Sequence, residues 1–401
     1  MRTKVMTLCV ALILTGVAQA DSLNVRFVGH LGMPGWAWDV ALSGIYACVA
    51  DADSGLRVVW IADPAYPFEM GRKDTPGYAL GVAVDGDRAY VADCQGGLRV
   101  MSIANPYAPT ELGHYNAAMA YGVAAAGDYV YVADGTNGMP VVWVANPTQP
   151  VRVGYCNAPD MARDVAVRDS FVLVADANCG LRVISVARPT DPVEVGILPG
   201  HAYSVALSGD YAYVADYYLG LRVVSIADPA HPTEVGRCPL PDTPYGVAVS
   251  GRYVYVAADD SGLRVISVVD PANPVEVGYY HTPGYAFGVA ASGDYAYVAA
   301  QAAGLVILQF YGGGIEETMN DEREAMNAGA SIARGVLFLP EATGFKPQAS
   351  SLMDATGRKV MDLKSGANDV RALAPGVYFV RGPKTEDGRP AAAVRKVVVA
   401  R

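Results

Sequence analysis

The chain repeats itself, and that repetition limits what it can fold into more than any other feature. Seven glycine–hydrophobic pairs, Gly55-Leu56, Gly97-Leu98, Gly138-Met139, Gly180-Leu181, Gly220-Leu221, Gly262-Leu263 and Gly304-Leu305, recur at spacings of 42, 41, 42, 40, 42 and 42 residues. A fixed period of this size means one supersecondary unit copied many times, each copy burying its apolar face against its neighbours. Residues 203–236 read YSVALSGDYAYVADYYLGLRVVSIADPAHPTEVG, and residues 245–278 read YGVAVSGRYVYVAADDSGLRVISVVDPANPVEVG. Each unit holds four apolar stretches of strand length, in the sixth copy A (GVAVS), B (YVYVA), C (GLRVIS) and D (PVEVGYY). Nothing in this region sustains a helical period. Four short strands per repeat predict an all-β fold whose units are the blades of a β-propeller.

The separators carry turn chemistry. The glycine opening each strand C is expected to supply a positive φ in the B–C hairpin. Asp63-Pro64, Asn105-Pro106, Asn146-Pro147, Asp228-Pro229 and Asp270-Pro271 match the first two positions of a type I turn between C and D. Strand D ends in a hydrophobic–Gly pair at Met70-Gly71, Leu112-Gly113, Val153-Gly154, Val195-Gly196, Val235-Gly236 and Val277-Gly278, and the seventh unit stops at Phe310-Tyr311 without one. The missing copy stands at the other end, where residues 24–31 read NVRFVGHL with Val28-Gly29 in register. The expected fold is therefore a seven-bladed β-propeller closed by its N-terminal strand, which leaves no open sheet edge between last and first blade. Strand A carries Val-Ala in every copy, at Ala41, Ala83, Ala124, Ala166, Ala206, Ala248 and Ala290, small side chains suited to the taper toward the axis.

The GLRVISVVDPANPVEVG stretch of the sixth unit resembles the LVIVD repeat of bacterial and archaeal surface proteins, and the resemblance covers residues 24–311. It implies a propeller outside the cytoplasm and brings no defined catalytic residues.

The flanks read as address labels. Residues 1–20 carry Arg2 and Lys4, an apolar run and then Ala18-Gln19-Ala20, the order of a secretory signal peptide. That run is too short to span a bilayer, and no later stretch is apolar for long enough, so no transmembrane segment is expected in the mature chain. Five cysteines follow it, Cys48, Cys94, Cys156, Cys179 and Cys238, an odd number with no zinc-ligand spacing. At most one incidental disulfide is expected.

After Tyr311 come Gly312-Gly313-Gly314 and an acidic stretch, read as a linker over 312–333 with room for a short helix. Residues 334–401 then show strand-like segments at 335–339, 349–354, 359–363, 376–381 and 394–400, with turn signals at Thr356-Gly357 and Ser365-Gly366. That suffices for a small immunoglobulin-like β-sandwich. The series LMDATGRKVMDL, LAPGVYFVR and RKVVVAR resembles the C-terminal sorting domain of type IX secretion substrates. By that resemblance Gly357 and Arg358 match its central hairpin, Gly376 and Tyr378 its penultimate strand and Lys396 its last strand; the usual Pro-Asn-Pro start is absent, which leaves open a plain immunoglobulin-like stalk domain with no sorting role. The implied partner is the type IX secretion machinery or another cell-envelope component, and the implied location is secreted or cell-surface, outer-membrane-associated.

Charge separates the parts. Residues 21–311 hold 29 acidic and 15 basic side chains, whereas residues 334–401 hold 12 basic and 6 acidic. With a net charge of −10, binding to nucleic acid is disfavoured.

Propeller ligand sites sit at the mouth of the axial channel, where the inner strands begin. These starts read WAWD, YALG, MAYG, MARD, HAYS, TPYG and YAFG. Trp36, Trp38, Tyr78, Tyr121, Tyr203, Tyr245, Tyr285 and Phe287 form a candidate aromatic rim with Asp39, Arg163, Asp164 and His201 as polar members. Such a rim suits an extracellular carbohydrate, peptide or protein ligand, though the same rings also serve packing between blades. A second pattern pairs an Asp ending strand B with an Arg in strand C, at Asp51/Arg57, Asp93/Arg99, Asp176/Arg182 and Asp216/Arg222, expected as ion pairs across the hairpin. Asp134 lacks such an Arg, Arg264 has its acid displaced to Asp259, and the seventh unit lacks both. No metal site, cofactor or catalytic motif is read: the loops at 51–55 and 134–138 lack the glycine or distal Glu of a calcium loop, and the histidines lack ligand spacing. The expected function is a non-catalytic binding protein. Two others remain open: an extracellular hydrolase or lyase using Asp39 and Asp164, and a structural surface-layer component.

Overall fold

A computed structural model describes residues 22–312 and, beyond them, the backbone of seven strands between residues 331 and 399. The expected signal peptide, residues 313–330 of the linker and the turn holding Gly357 and Arg358 lie outside the described residues. Gly376, Tyr378 and Lys396 fall within described strands.

The described residues contain strands and turns and no helix. The described residues up to Tyr311 form one compact unit, and those from Gly312 form a second. The first is a ring of seven antiparallel sheets. The innermost strands are Ala37–Ser43, Gly81–Asp85, Gly122–Ala126, Ala162–Arg168, Ala202–Ser208, Gly246–Ser250 and Gly288–Ser292, each touching the next, and the seventh touching the first. Strands B and C are almost wholly buried, as in Tyr46–Asp51 and Leu56–Trp60, whereas strand D alternates between buried and exposed. The core is accordingly not central. It consists of apolar clusters between successive blades; one of them joins Tyr297, Ala299, Leu305 and Ile307 of blade 7 to Ala37, Val40 and Val49 of blade 1. Full burial of each Val, Leu or Ile contributes about 1.5–3 kcal/mol, so the ring is held by what passes between blades.

The N-terminal segment latches the ring as the sequence predicts, and does more. Strand β2 (Val25–Leu31) pairs with Leu305–Phe310 as the outer strand of blade 7. Strand β1 (Ser22–Leu23) pairs with Val275–Tyr280, a fifth strand on blade 6. Between them Asn24, at φ 53°, donates its side-chain amide to the Val277 carbonyl (2.8 Å) and accepts from the Tyr311 amide (3.0 Å). This kink fills a gap in the pattern. In the other blades the strand D glycine lies under the C–D turn of the next blade: a Cβ on Gly154 would stand 2.0 Å from the Pro189 carbonyl oxygen, and one on Gly196 2.2 Å from that of Pro229. Blade 7 has no such turn, and the neighbour of Gly278 is instead the Leu23 carbonyl.

The turn chemistry holds in detail. All seven glycines opening strand C have φ between 72° and 83°. The Asp-Pro and Asn-Pro turns close with i+3 bonds, as from the Tyr66 amide to the Asp63 carbonyl and the Asn273 amide to the Asp270 carbonyl. Five of the cysteines are described, and all are free.

Three expectations need correction. The strand A alanines pack into the clusters between blades, and the crowding toward the axis falls elsewhere, on Gly81, Gly122, Gly246 and Gly288: a Cβ on Gly288 would stand 2.6 Å from the Asp39 Cα. In the second unit Ser331–Ala333 lies within the stretch expected to be linker and pairs in parallel with Arg395–Val399. There too, Gly366–Asp369 pairs with Val336–Leu339, so Ser365-Gly366 does not turn a hairpin with Lys359–Leu363.

Candidate functional site

Each blade sends two consecutive residues at the entry to its inner strand to the axis: Trp38-Asp39, Leu80-Gly81, Tyr121-Gly122, Arg163-Asp164, Tyr203-Ser204, Tyr245-Gly246 and Phe287-Gly288. These seven pairs line a cavity of about 230 Å³ at the end of the channel. In four of the pairs the second member is Gly because the next blade's backbone leaves no room for a Cβ: one on Gly246 would stand 2.4 Å from the Phe287 carbonyl oxygen. The first member points into the cavity.

Eight of the residues read from sequence meet there: Trp38, Asp39, Tyr121, Arg163, Asp164, Tyr203, Tyr245 and Phe287. Four do not. Trp36 and Tyr78 line a separate groove, Tyr285 is exposed, and His201 packs edge-on against Tyr218 with ring centroids 4.6 Å apart. All four stand two positions before a cavity residue. Between each and the cavity lies an alanine, Ala37, Ala79, Ala202 or Ala286, bridged by backbone hydrogen bonds to the preceding blade, as in the Ala79 amide to the Ala52 carbonyl (2.9 Å). The chain before that anchor has left the inner strand. Sequence reasoning also missed Leu80, Ser204 and the four glycines, which the step immediately before each Val-Ala would have revealed.

The aromatic side of the cavity is one continuous arc. Trp38 meets Phe287 at 4.4 Å, Phe287 stacks on Tyr245 at 4.4 Å, Tyr245 meets Tyr203 at 5.8 Å, and Tyr203 meets Tyr217 at 4.9 Å. Tyr217 enters through a defect in the pattern. Six B–C hairpins bridge to the next blade at Ala37, Ala79, Ala120, Ala162, Ala202 or Ala286, and the exception is the hairpin of blade 5, opposite which Pro244 occupies the matching position and has no amide to donate. Tyr217 bonds instead to the His201 carbonyl (2.9 Å), and the Tyr217-Tyr218 pair turns onto Tyr203 and His201.

Asp39 and Asp164 stitch neighbouring blades together. Asp39 accepts from the Val40 amide (2.8 Å) and, in blade 2, from the Val82 amide (2.9 Å). Asp164 accepts from the Val165 amide (2.8 Å) and, in blade 5, from the Ser204 hydroxyl (2.7 Å) and the Val205 amide (3.0 Å). Both acids keep one edge on the cavity while protein surrounds them elsewhere. Loss of bulk water, with a smaller push from the charge of Asp164, raises Asp39 to about 7 against the pull of its two amides. Burial likewise raises Asp164. An acid raised on folding stabilises the fold at low pH and loses that contribution as pH climbs toward the folded value. Unfolding free energy is therefore expected to fall between pH 5 and 7 and then level off, and Asp39→Asn to flatten that slope. Denaturant titrations across pH 5–8 check this; an unchanged slope in the variant would assign it to other groups.

The Asp/Arg pairs are structural. Arg57, Arg99, Arg182 and Arg222 reach Asp51, Asp93, Asp176 and Asp216 at 3.2, 3.4, 2.6 and 3.1 Å. Each Arg also meets a strand D carboxylate that the sequence reading missed: Glu69, Glu111, Glu194 or Glu234. Each Asp in turn accepts a backbone amide from the loop leading into strand A of its own blade, such as Gly77 (2.9 Å) for Asp93 and His201 (3.0 Å) for Asp216. Asp134, without an Arg, takes two such amides, from Ala118 and Met119, while Arg264 holds Glu276 at 3.0 Å with its guanidinium over Tyr279. The loops at 51–55 and 134–138 are tight hairpin turns, with Ala52 and Gly135 at φ 42° and 53°.

A family model described as LVIVD repeat matches seven segments: residues 34–75, 76–117, 117–158, 159–198, 199–239, 245–282 and 283–309. No curated protein matches the chain. Among solved structures, the computationally designed Ika8 protein is similar over 71% of this chain and 99% of its own, at TM-score 0.54 and 10% identity. A chain of the mitotic checkpoint complex is similar over 78% of this chain and 99% of its own, at TM-score 0.60 and 13% identity. At such identities the likeness is one of fold.

Proposed function

Since this chain belongs to the LVIVD repeat family, we propose that it is a non-catalytic binding protein of the cell surface or exterior, with its ligand in the axial cavity. One observation carries the reading: a continuous aromatic arc from four blades faces a half-open cavity that also holds Arg163. Aromatic walls with a few convergent polar groups are what small-molecule sites are made of. Export rests on the order of residues 1–20, and delivery to the envelope on the likeness of residues 334–401 to a sorting domain.

Trp38→Ala and Tyr203→Ala are each expected to weaken binding by at least tenfold for any ligand recovered by screening the protein against glycans, peptides and envelope proteins, with the melting temperature checked in parallel. Undiminished affinity in a folded variant would move the site away from the channel.

Hydrolysis is a second reading, favoured by one fact: an acid pushed to about 7 beside a second carboxylate is suited to proton transfer at neutral pH. The amide and hydroxyl partners of Asp39 and Asp164 tie both acids to the scaffold, which favours binding. Recovery of the bound ligand uncleaved separates the two.

A further inference from the structure

A groove of about 420 Å³ bounded by Trp36, Tyr78 and Asp53 adjoins the axial cavity, and Trp38 and Leu80 line both. Trp36 and Tyr78 are 55% and 53% exposed and offer flat apolar faces on this groove. At the other end stands Arg163. Its guanidinium lies 4.1 Å from the Tyr203 ring centre, its Nε is buried without a hydrogen-bond partner, and among the described residues it forms no ion pair, although Asp39 and Asp164 line the same cavity. The strand C arginines of this ring are each neutralised by one or two carboxylates.

We propose that cavity and groove form one site for an acidic glycan: the carboxylate of a terminal uronic-acid ring enters the channel to meet Arg163, and the following sugars lie over Trp36 and Tyr78. This rests on the channel being the binding site and goes further by naming what it binds. A planar guanidinium matches a carboxylate with two parallel hydrogen bonds, and one that has no carboxylate partner of its own gains most from an anion. A cavity of about 230 Å³ holds a single ring, so a chain end enters it. The apolar C–H face of a pyranose stacks on the rings of Trp and Tyr, which present large apolar faces and polar edges. A peptide fits less well. It binds an open sheet edge through its backbone, and here the Ala52 carbonyl on the groove is already taken by the Ala79 amide (2.9 Å). Burial also pushes Asp39 and Asp164 toward their neutral forms, which lessens repulsion of an entering carboxylate.

The test is calorimetric titration of the whole protein with trigalacturonate, its methyl ester, free galacturonate and a tripeptide with a free C-terminal carboxylate. The acid is expected to bind at least tenfold tighter than the ester. Arg163→Gln is expected to bring the two within about twofold, and Trp36→Ala to weaken the trimer about tenfold while leaving the monosaccharide unchanged. Equal affinity for acid and ester, no binding of the acid, or an Arg163-dependent preference for the tripeptide would each overturn the proposal. If Arg163→Gln fails to fold, the acid–ester comparison on the unsubstituted protein still decides it. Failure of the uronates while a screened ligand remains sensitive to Trp38→Ala would sink only the acidic glycan; uronate binding that survives both Trp38→Ala and Tyr203→Ala would sink the channel site itself.

Discussion

Removal of residues 22–31 is expected to lower the melting temperature by on the order of 15 °C, the largest effect of any small change to this protein. Ten residues are lost, but their absence opens the ring at two places. Blade 7 loses its outer strand, β2, and with it the cover of Ile307 and Leu308, both fully buried in the closed ring. Blade 6 loses β1, and Gly278 loses the backbone that packs over it in place of a C–D turn. Val25, itself 1% exposed, leaves the cluster that joins blades 6 and 7 around Phe310. Burial between blades is the main source of stability here, and a ring distributes strain only while it is closed. Thermal unfolding followed by circular dichroism checks this. A fall below about 3 °C would show that the blades hold together without the latch.

Asp216→Ala is expected to cost about 3–5 kcal/mol, a drop of roughly 5–10 °C. The Asp216 carboxylate is 0% exposed and accepts four hydrogen bonds: from the amides of His201 (3.0 Å), Tyr218 (3.1 Å) and Leu219 (3.1 Å) and from Arg222 Nη1 (3.1 Å). Truncation removes all four at once and leaves a buried guanidinium with Glu234 as its remaining carboxylate. Burial alone does not make such a pair worth its desolvation, so the loss comes from the orphaned partners. The same carboxylate fixes the loops that carry His201 and Tyr218, so ligand affinity at the aromatic arc should fall together with stability. Asp216→Asn, which keeps some of the acceptors, should lose less than half as much. Chemical denaturation of the two variants decides; equal, small losses would mean that the hairpins are held by their backbone bonds alone.

Much of this architecture was legible in the sequence because it is local and repeated. A glycine that must take φ near +75°, a Pro that must open a turn and a strand of alternating exposure each leave a mark at one position, and seven copies make each mark unmistakable. Closure was legible for the same reason, since Val28-Gly29 is the seventh copy of a pair needed six times elsewhere. The site was half legible. The sequence marks Trp38, Tyr203, Tyr245 and Phe287 at the entry to the inner strand, but Trp36, Tyr78, His201 and Tyr285, two steps earlier, carry the same mark. Which side of the bridged alanine a ring lies on depends on hydrogen bonds to the preceding blade, and no single repeat records those.

The sequence by itself determined the number of blades, the order of strands within each, the turns between them and the identity of the closing strand. All of these follow from period, backbone conformation and the demand that every sheet edge find a partner. Only the tertiary structure decided which residues converge. It set Arg163 against Tyr203 with no ion-pair partner among the described residues, made Asp39 and Asp164 into stitches between blades, and let Pro244 free the Tyr217 hairpin to extend the aromatic arc. Those outcomes arise where residues some forty positions apart meet at the axis, and the spacing of a repeat fixes that such a meeting occurs but not which groups are left unpaired when it does.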